Sequence, residues 1–246
     1  MSGRRSTLLA VAVTVGITAL AIAAILIFGD SDKPTDIILP DETPAAAVTP
    51  DQTGPEGQTG LVEVTRETVQ AVVRTLERPE AYSRRLGVES FWEGGSAVYS
   101  AEAWVRSGSV RLTVSGFETK NVLVTEDKVY IWYDSETVFE AARDPGESLF
   151  RSADAFNMLV TYEDVLDLPK RDITDARYDE YGGERCIFVT ARSGGYETQY
   201  VVSVATGLLV HAERRDGEGE LVYVMEASEP VLSAPSEDVF ELPSAE

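Results

Sequence analysis

Cysteine and histidine are almost absent from this 246-residue chain, which contains one of each. The single cysteine, Cys186, allows no intramolecular disulfide, so packing must stabilise the folded part. Its place on a predicted strand favours a buried, inert thiol over an intermolecular disulfide. One histidine and one cysteine do not make a typical zinc site without two carboxylates, so neither a metal nor any other cofactor is predicted.

Catalytic signatures are also missing. His211 lies on a predicted strand with Leu209 and Glu213 on its own face, and a serine-histidine mechanism would need it. No serine has the glycine pattern of a nucleophile elbow, and the glycine pairs 182–183 and 194–195 precede no helix that would hold a phosphate. The sequence predicts a protein that is not an enzyme. A glycosidase with two facing carboxylates stays open, because a sequence does not show which carboxylates face each other.

Positive charge is scarce. The chain has 21 Lys and Arg against 42 Asp and Glu, a formal net charge of −21. Residues 1–30 contain two arginines and one aspartate, so the remainder carries −22. Such a surface repels phosphate backbones and anionic headgroups, which excludes nucleic acid as a partner.

Charge is absent altogether from residues 7–29. Leu8–Phe28 would form a helix about 31 Å long, against a hydrocarbon core of about 30 Å. Two arginines precede this run and acidic residues follow it, so we predict a cytoplasmic stub at 1–6, a transmembrane helix at 7–29 and an extracytoplasmic remainder anchored to the cell membrane. A cleaved signal peptide ending near Ala21–Ala23 is the alternative. No cysteine follows the run, which excludes a lipoprotein anchor.

Residues 30–60 contain five prolines and no apolar periodicity. This composition does not bury a core, so it predicts a Pro-rich acidic linker. The rest, 61–246, is long enough for one folded domain of roughly 185 residues.

The folded domain begins with helical spacing and then changes to a period of two. Val69, Val72, Val73 and Leu76 predict an amphipathic helix with Thr65 as N-cap and Pro79 as its stop. From residue 82 to about 144, alternating apolar residues and turn signals predict five or six strands. Helical spacing returns between the prolines at 145 and 169, where Thr161–Asp164 resembles a capping box.

Strands resume at Ile173–Tyr181 and 185–192, and residues 196–227 predict three more with both turns visible. Val239–Pro243 predicts a last edge contact. The order of elements predicts an α+β fold, a single strongly curved antiparallel sheet covered by short helices, in addition to the N-terminal transmembrane helix. This geometry predicts an apolar cleft between sheet and helices.

Aromatic residues are concentrated in the first group of strands. Both faces of the run 129–133 are apolar, so one face is expected to pack under the helices and the other to form a recognition surface or a lipid-lined cleft. The competing interpretation is a large core. The candidate surface or cavity consists of Trp92, Tyr99, Trp104, Leu112, Tyr130 and Trp132.

Three segments carry a resemblance to a known superfamily. They are the helix ending at Glu77–Pro79, the run YVVSVATGLLVHAE at 200–213 with the glycine turn that follows it, and the closing DVFELP at 238–243. Residues 61–243 resemble the periplasmic lipoprotein carriers (LolA, LolB, RseB), and within them the GerS-like germination lipoproteins of spore-forming bacteria. The resemblance implies a LolA-like half-barrel around an apolar cavity that binds acyl chains or proteins. The lipidated cysteine of GerS-like proteins is missing.

Together these observations predict a non-catalytic, membrane-anchored extracytoplasmic binding protein. The resemblance implies that it holds or regulates a cell-envelope enzyme, such as a peptidoglycan amidase of the spore cortex, in sporulation or germination. The alternative is a carrier or sensor whose cavity takes up a lipid or lipoprotein acyl chain. Exposed aromatic residues outside a filled core would favour the first hypothesis, and a continuous empty apolar cavity the second.

Overall fold

The computed structural model describes residues 63–133, 137–154 and 158–243. Within these ranges the chain forms one antiparallel sheet of eleven strands and three short α-helices, so the predicted α+β class is observed. The predicted stub, transmembrane helix and linker at residues 1–60 lie outside the described residues. None of the helices that are described is both long enough and apolar enough to span a bilayer.

The helices are short and the strands are long. The helices are α1 Val69–Thr75, α2 Leu149–Ala153 and α3 Tyr162–Asp167, with 3-10 turns at Lys170–Asp172 and Glu237–Phe240. The strands are β1 Tyr82–Trp92, β2 Gly95–Arg106, β3 Ser109–Ser115, β4 Thr119–Val124, β5 Lys128–Trp132, β6 Phe139–Ala142, β7 Ile173–Tyr181, β8 Glu184–Ser193, β9 Tyr196–Ser203, β10 Leu209–Arg215 and β11 Leu221–Ala227.

Two meanders of consecutive hairpins make up the sheet. Its order is β6-β5-β4-β3-β2-β1-β11-β10-β9-β8-β7, so the first and last strands of the chain pair in the middle. Leu86 of β1 faces Ala227 of β11, and Ser90 faces Tyr223. This long-range pairing joins the meanders into one surface.

The segment that contains α2 and α3 crosses the sheet, because it connects β6 at one edge to β7 at the other. We call the sheet face that these helices cover the inner face, and its opposite the outer face. Strands lie about 4.8 Å apart, so β3 and β9 would be about 24 Å apart in a flat sheet. The helical segment covers this span, because α2 contacts β3 and β4 while α3 contacts β9.

One hydrophobic core fills the space between the inner face and the helices. Alternate residues of β1 point inward, so Leu86 and Val88 are buried while Arg85 and Gly87 are exposed. The same period of two runs through the other long strands. The core joins inward residues of both meanders to Val73 of α1 and Val165 of α3.

Polar caps fix the helices to each other. The predicted capping box is present: the Thr161 hydroxyl accepts from the Glu163 amide at 3.2 Å, and the Asp164 carboxylate accepts from the Thr161 amide at 2.6 Å. At the other end of α3, the buried Gln70 amide of α1 donates to the Val165, Leu166 and Leu168 carbonyl oxygens at 2.8 to 3.1 Å. This satisfies carbonyl groups that a helix end leaves unpaired.

Three local predictions differ from the structure. Helix α1 begins at Val69, because Thr65 closes a separate turn in which its carbonyl accepts from the Val69 amide at 2.9 Å. The turn Glu237–Phe240 contacts β3, the fourth strand from the β6 edge, where an edge contact was predicted. A register shift between Leu209 and His211 turns Leu209 into the core, so the two residues do not share a face.

Candidate functional site

The six predicted site residues do not line one surface. Tyr99 and Leu112 are on the inner face, where Leu112 belongs to the core. Trp104, Tyr130 and Trp132 have the opposite strand parity and are on the outer face. Trp92 lies at the end of β1 and is 57% exposed. Whether any of them binds a ligand stays a prediction.

Tyr99 forms a hydrogen bond to the segment between α2 and α3. Its hydroxyl donates to the Met158 carbonyl oxygen at 3.1 Å, and the Tyr223 hydroxyl of β11 donates to the same oxygen at 2.9 Å. Burial raises the pKa of Tyr99 to about 12, with the charge of Asp154 adding to the effect. Both phenols therefore stay protonated and act as donors, which gives Tyr99 a structural role.

The C-terminal segment covers part of the outer face. The guanidinium of Arg111 lies 4.6 Å from the ring centre of Trp132 and donates to the Val239 carbonyl oxygen at 3.0 Å and to Asn121 at 2.9 Å. Arg106 forms an ion pair with Glu237 at 3.1 Å. Trp132 is buried by this cover, so the outer face is only partly free at β3–β5.

Exposed aromatic side chains gather at one end of the sheet. Consecutive strands are antiparallel, and the pairing of β1 with β11 places the β1–β2, β3–β4, β8–β9 and β10–β11 turns at this same end. All four exposed aromatic residues within the described ranges lie there: Trp92, Phe117, Phe139 and Tyr196, which are 57%, 103%, 59% and 46% exposed. We call this set the aromatic end.

A recess of about 600 Å³ lies beside Tyr196, between the β8–β9 and β10–β11 turns. Gly194 and Gly195 have positive φ angles of 60° and 85°, which lets the β8–β9 strands close in a tight turn. Charged side chains line the recess: Arg192, Glu197, Arg215, Asp216 and Glu218. The aromatic end therefore combines apolar projections with a polar depression.

The larger cleft under the helices is acidic, where the sequence predicted an apolar one. It has a volume of about 950 Å³ between α2, α3 and β9–β10. Its acidic lining residues are Glu147, Asp154, Glu163, Asp164 and Asp167. Two of these carboxylates have local hydrogen-bonding roles, because Asp164 caps α3 and Asp154 accepts from the Leu159 amide, between the two helices, at 2.7 Å. Arg151 bridges three of these carboxylates at 2.6 to 3.4 Å.

Asp154 is the carboxyl in this cleft whose titration the fold changes most clearly. It is 6% exposed. Burial raises its pKa from 3.8 to about 6, against hydrogen bonds from the Leu159 and Met158 amides. Because the pKa of Asp154 is higher in the folded state, its protonation favours folding. This contribution to the free energy of unfolding is complete below pH 3.8 and is lost as the pH rises through about 6.

We therefore expect Asp154→Asn to raise the free energy of unfolding by about 2 kcal/mol at about pH 7.5 and to change it little at about pH 3.5. Asparagine resembles the protonated carboxyl and keeps an acceptor for the Leu159 amide. Urea unfolding of both proteins across this pH range checks the expectation. Asp144→Asn, at an exposed turn, is the control for removing one negative charge. A constant difference between Asp154→Asn and wild type at all pH values would contradict the expectation.

A smaller pocket of about 210 Å³ lies at the opposite end from the aromatic residues. Its apolar wall consists of Pro79, Val105, Val110, Leu149, Phe150 and Leu208. Tyr82, Tyr162 and two arginines, Arg78 and Arg84, contribute further to the lining. We call it the arginine pocket.

Sequence reasoning did not single out either arginine. A signal was present, because Tyr82, Arg84, Leu86 and Val88 follow the period of two that marks inward positions. An arginine at an inward strand position is rare unless it is paired. The pattern therefore pointed to Arg84.

His211 lies on the outer face in a hydrogen-bonded group of carboxylates and aromatic rings. Its Nδ1 is 2.7 Å from Glu226, its Nε2 is 3.9 Å from Glu213, and its ring stacks on Tyr181 with centres 5.0 Å apart. The Tyr181 hydroxyl donates to Glu226 at 2.7 Å. The partners of the imidazole are therefore carboxylates, which is not a serine-histidine arrangement.

Cys186 is fully buried next to this group, beside Phe188 and Val201 on the outer face. Burial raises its pKa to about 11, so the sulfur stays a thiol at neutral pH. This agrees with the predicted inert cysteine. No group of three or more His, Cys, Asp or Glu side chains is placed to hold a metal ion, as far as the described ranges show.

The described residues thus define an α+β domain with one antiparallel sheet, a helical layer on its inner face and clefts between the two. No family model and no curated protein matches the chain. Among solved structures it is similar to the MucA/MucB complex of Pseudomonas aeruginosa, with 13% identity, a TM-score of 0.41, and coverage of 71% of this chain and 58% of that one. This chain therefore spans less than two thirds of that neighbour.

Two other solved structures are also similar. An uncharacterized conserved protein from Thermus thermophilus has 11% identity and a TM-score of 0.43, covering 70% of this chain and 89% of that one. A LolA superfamily protein from Nitrosomonas europaea has 11% identity and a TM-score of 0.33, covering 72% and 97%. With TM-scores below 0.5, we take the fold from the strand register of the chain itself. The GerS-like resemblance stays a prediction.

Proposed function

We propose that this chain is a non-catalytic binding protein of the cell envelope, anchored through residues 7–29, that engages a protein partner through the aromatic end. The exposure of Trp92, Phe117, Phe139 and Tyr196 along one end of the sheet carries this proposal. Aromatic side chains dominate the energetics of protein interfaces, and these four are exposed on turns spaced along the same end of the sheet. The linker 30–60 would hold this surface away from the membrane.

A protein partner fits the geometry better than an acyl chain. The cleft of about 950 Å³ under the helices is lined by five carboxylates, so it is not a continuous apolar cavity. The arginine pocket, at about 210 Å³, is smaller than the roughly 300–1,000 Å³ that is common for ligand pockets. A carrier of whole lipid chains would need a continuous apolar cavity.

The first partner to test is a cell-wall enzyme, a peptidoglycan amidase of the spore cortex. The support for this choice is the resemblance of the 200–213 run to GerS-like proteins of sporulation and germination. The chain would act there as a docking or regulatory subunit.

Site-specific photo-cross-linking tests the proposal. A photoreactive phenylalanine analogue replaces Phe117 or Trp92 in the full-length chain in its own cells, and Leu232 is the matched control. Leu232 is 60% exposed, but it follows Val231, which pairs with Ser83 at the other end of β1. We expect the same partner to cross-link from both aromatic positions and not from Leu232.

Equal cross-linking at all three positions, or none at any, would contradict the proposal. As a second measurement, the Trp92→Ser, Phe117→Ser double variant should bind the cross-linked partner at least about tenfold more weakly. Both side chains are exposed, so its urea unfolding should stay close to that of wild type. Direct binding of a purified peptidoglycan amidase decides the finer assignment separately.

A further inference from the structure

Arg84 is a buried cation without an anionic partner. It is 7% exposed, and its hydrogen bond is donated by Nη1 to the Leu209 carbonyl oxygen at 2.7 Å. Its Nε is buried and has no acceptor among the described residues. No described carboxylate forms an ion pair with it, and burial lowers its pKa. Its guanidinium carbon lies 5.8 Å from the ring centre of Tyr82, a phenol that carries no charge at neutral pH. Buried charges in proteins are normally paired, so this arrangement lacks its counter-charge.

A second guanidinium lies in the same pocket. Arg78 stacks on the Tyr162 ring at 3.7 Å and donates to the Val73 and Leu76 carbonyl oxygens at 2.6 and 3.0 Å. Its Nε is also buried, with no acceptor among the described residues. The partners of both arginines are therefore carbonyl oxygens and tyrosine rings, and neither has a carboxylate partner among the described residues.

The pocket also contains one carboxylate, that of Glu163. This group is already occupied, because Arg151 lies 3.1 Å from it and the Ser148 hydroxyl donates to it at 2.9 Å. The local charge of the pocket is therefore positive, in a chain whose net charge is −21. A positive pocket on an acidic protein is the reverse of what the composition predicts.

We propose that the arginine pocket binds an anionic head group, carboxylate or phosphate, that is carried on a short aliphatic chain. The head group would accept from Nη2 of Arg84, because Nη1 already donates to Leu209 and Nε is shielded by protein. This charge-assisted contact would compensate the buried guanidinium. The aliphatic part would contact the apolar wall at Val110, Phe150 and Leu208. This site is separate from the aromatic end, so it does not depend on the protein partner proposed above.

Calorimetric titration of the full-length chain in lipid nanodiscs tests the proposal. The probes are hexanoate, hexyl phosphate, hexanol and acetate, with empty nanodiscs as the blank. We expect hexanoate or hexyl phosphate to bind at least about tenfold more tightly than hexanol and than acetate. If hexanoate binds more tightly, the natural ligand is a fatty acid, and if hexyl phosphate does, it is a phosphate ester. Equal binding of hexanol, or binding of neither anion, would overturn the proposal, and both outcomes are read on wild-type protein.

Two matched variants locate the site. Arg84→Met should weaken hexanoate binding at least about tenfold, because methionine keeps much of the length and removes the charge. Arg111→Met removes another arginine with a buried, unpartnered Nε, but from the outer face, and should leave binding unchanged. Equal losses in both variants, or none in Arg84→Met, would contradict the assignment. Retained cross-linking at Phe117 would keep the protein-partner proposal intact in either case.

Discussion

Gly207→Ala is expected to lower the free energy of unfolding by about 3 kcal/mol. Gly207 lies in the β9–β10 turn with φ of 64°, a conformation that alanine adopts at a cost of about 1 kcal/mol. A Cβ atom there would also lie 2.8 Å from the Glu77 carbonyl oxygen and 2.9 Å from Arg78 Cγ. The carbonyl belongs to the backbone just after α1, so the contact is relieved only by moving this segment away from the turn.

Gly182→Ala separates the two contributions. Gly182 has nearly the same φ, 60°, but nothing lies within 4 Å of a Cβ atom placed there. Gly182→Ala should lower the free energy of unfolding by about 1 kcal/mol, which is the conformational cost alone. Urea unfolding followed by tryptophan fluorescence measures both variants, because Trp92, Trp104 and Trp132 all lie in the sheet. Equal losses for the two variants would mean that α1 does not pack tightly on the turn.

Local signals were enough to predict most strands and turns. The period of two marked both meanders, because in a half-buried strand it separates the buried row of side chains from the exposed one. Glycines with positive φ, such as Gly194 and Gly207, marked hairpins at the observed places. The capping box at Thr161 was visible because its two partners are three residues apart.

Long-range contacts were not predictable in the same way. The pairing of β1 with β11, in which Leu86 faces Ala227, decides the strand order. The sequence of neither strand shows that the other will be its neighbour. Trp132 and Ile131 are neighbours on one strand, so their opposite faces could be predicted. The Arg111 guanidinium that stacks on Trp132 also donates to the Val239 carbonyl oxygen, and this contact, far along the chain, could not be predicted. The acidic cleft depends on where helix caps point once the helical segment crosses the sheet. The candidate sites therefore required the tertiary structure.

Arg84→Met should raise the free energy of unfolding by about 1 kcal/mol, whereas Arg111→Met should lower it by about 2 kcal/mol. Removing Arg84 leaves the Leu209 carbonyl without its donor but also removes a desolvated charge, and replacing buried ionic groups by apolar ones often stabilises a protein. Arg111 donates to Val239 and Asn121 and stacks on Trp132, so its loss frees the C-terminal cover. Urea unfolding of both variants at neutral pH provides the comparison.

Hexanoate extends this comparison from stability to binding. A ligand that binds only the folded state adds RT ln(1 + [L]/Kd), so at about a hundredfold excess over Kd wild type should gain about 2.7 kcal/mol. Arg111→Met should gain the same amount and Arg84→Met almost none. The order of stabilities of wild type and Arg84→Met would then reverse on adding the ligand, as expected for an arginine kept for binding at a cost in stability. If Arg84→Met instead lost as much stability as Arg111→Met without ligand, Arg84 would be a structural link between β1 and β10.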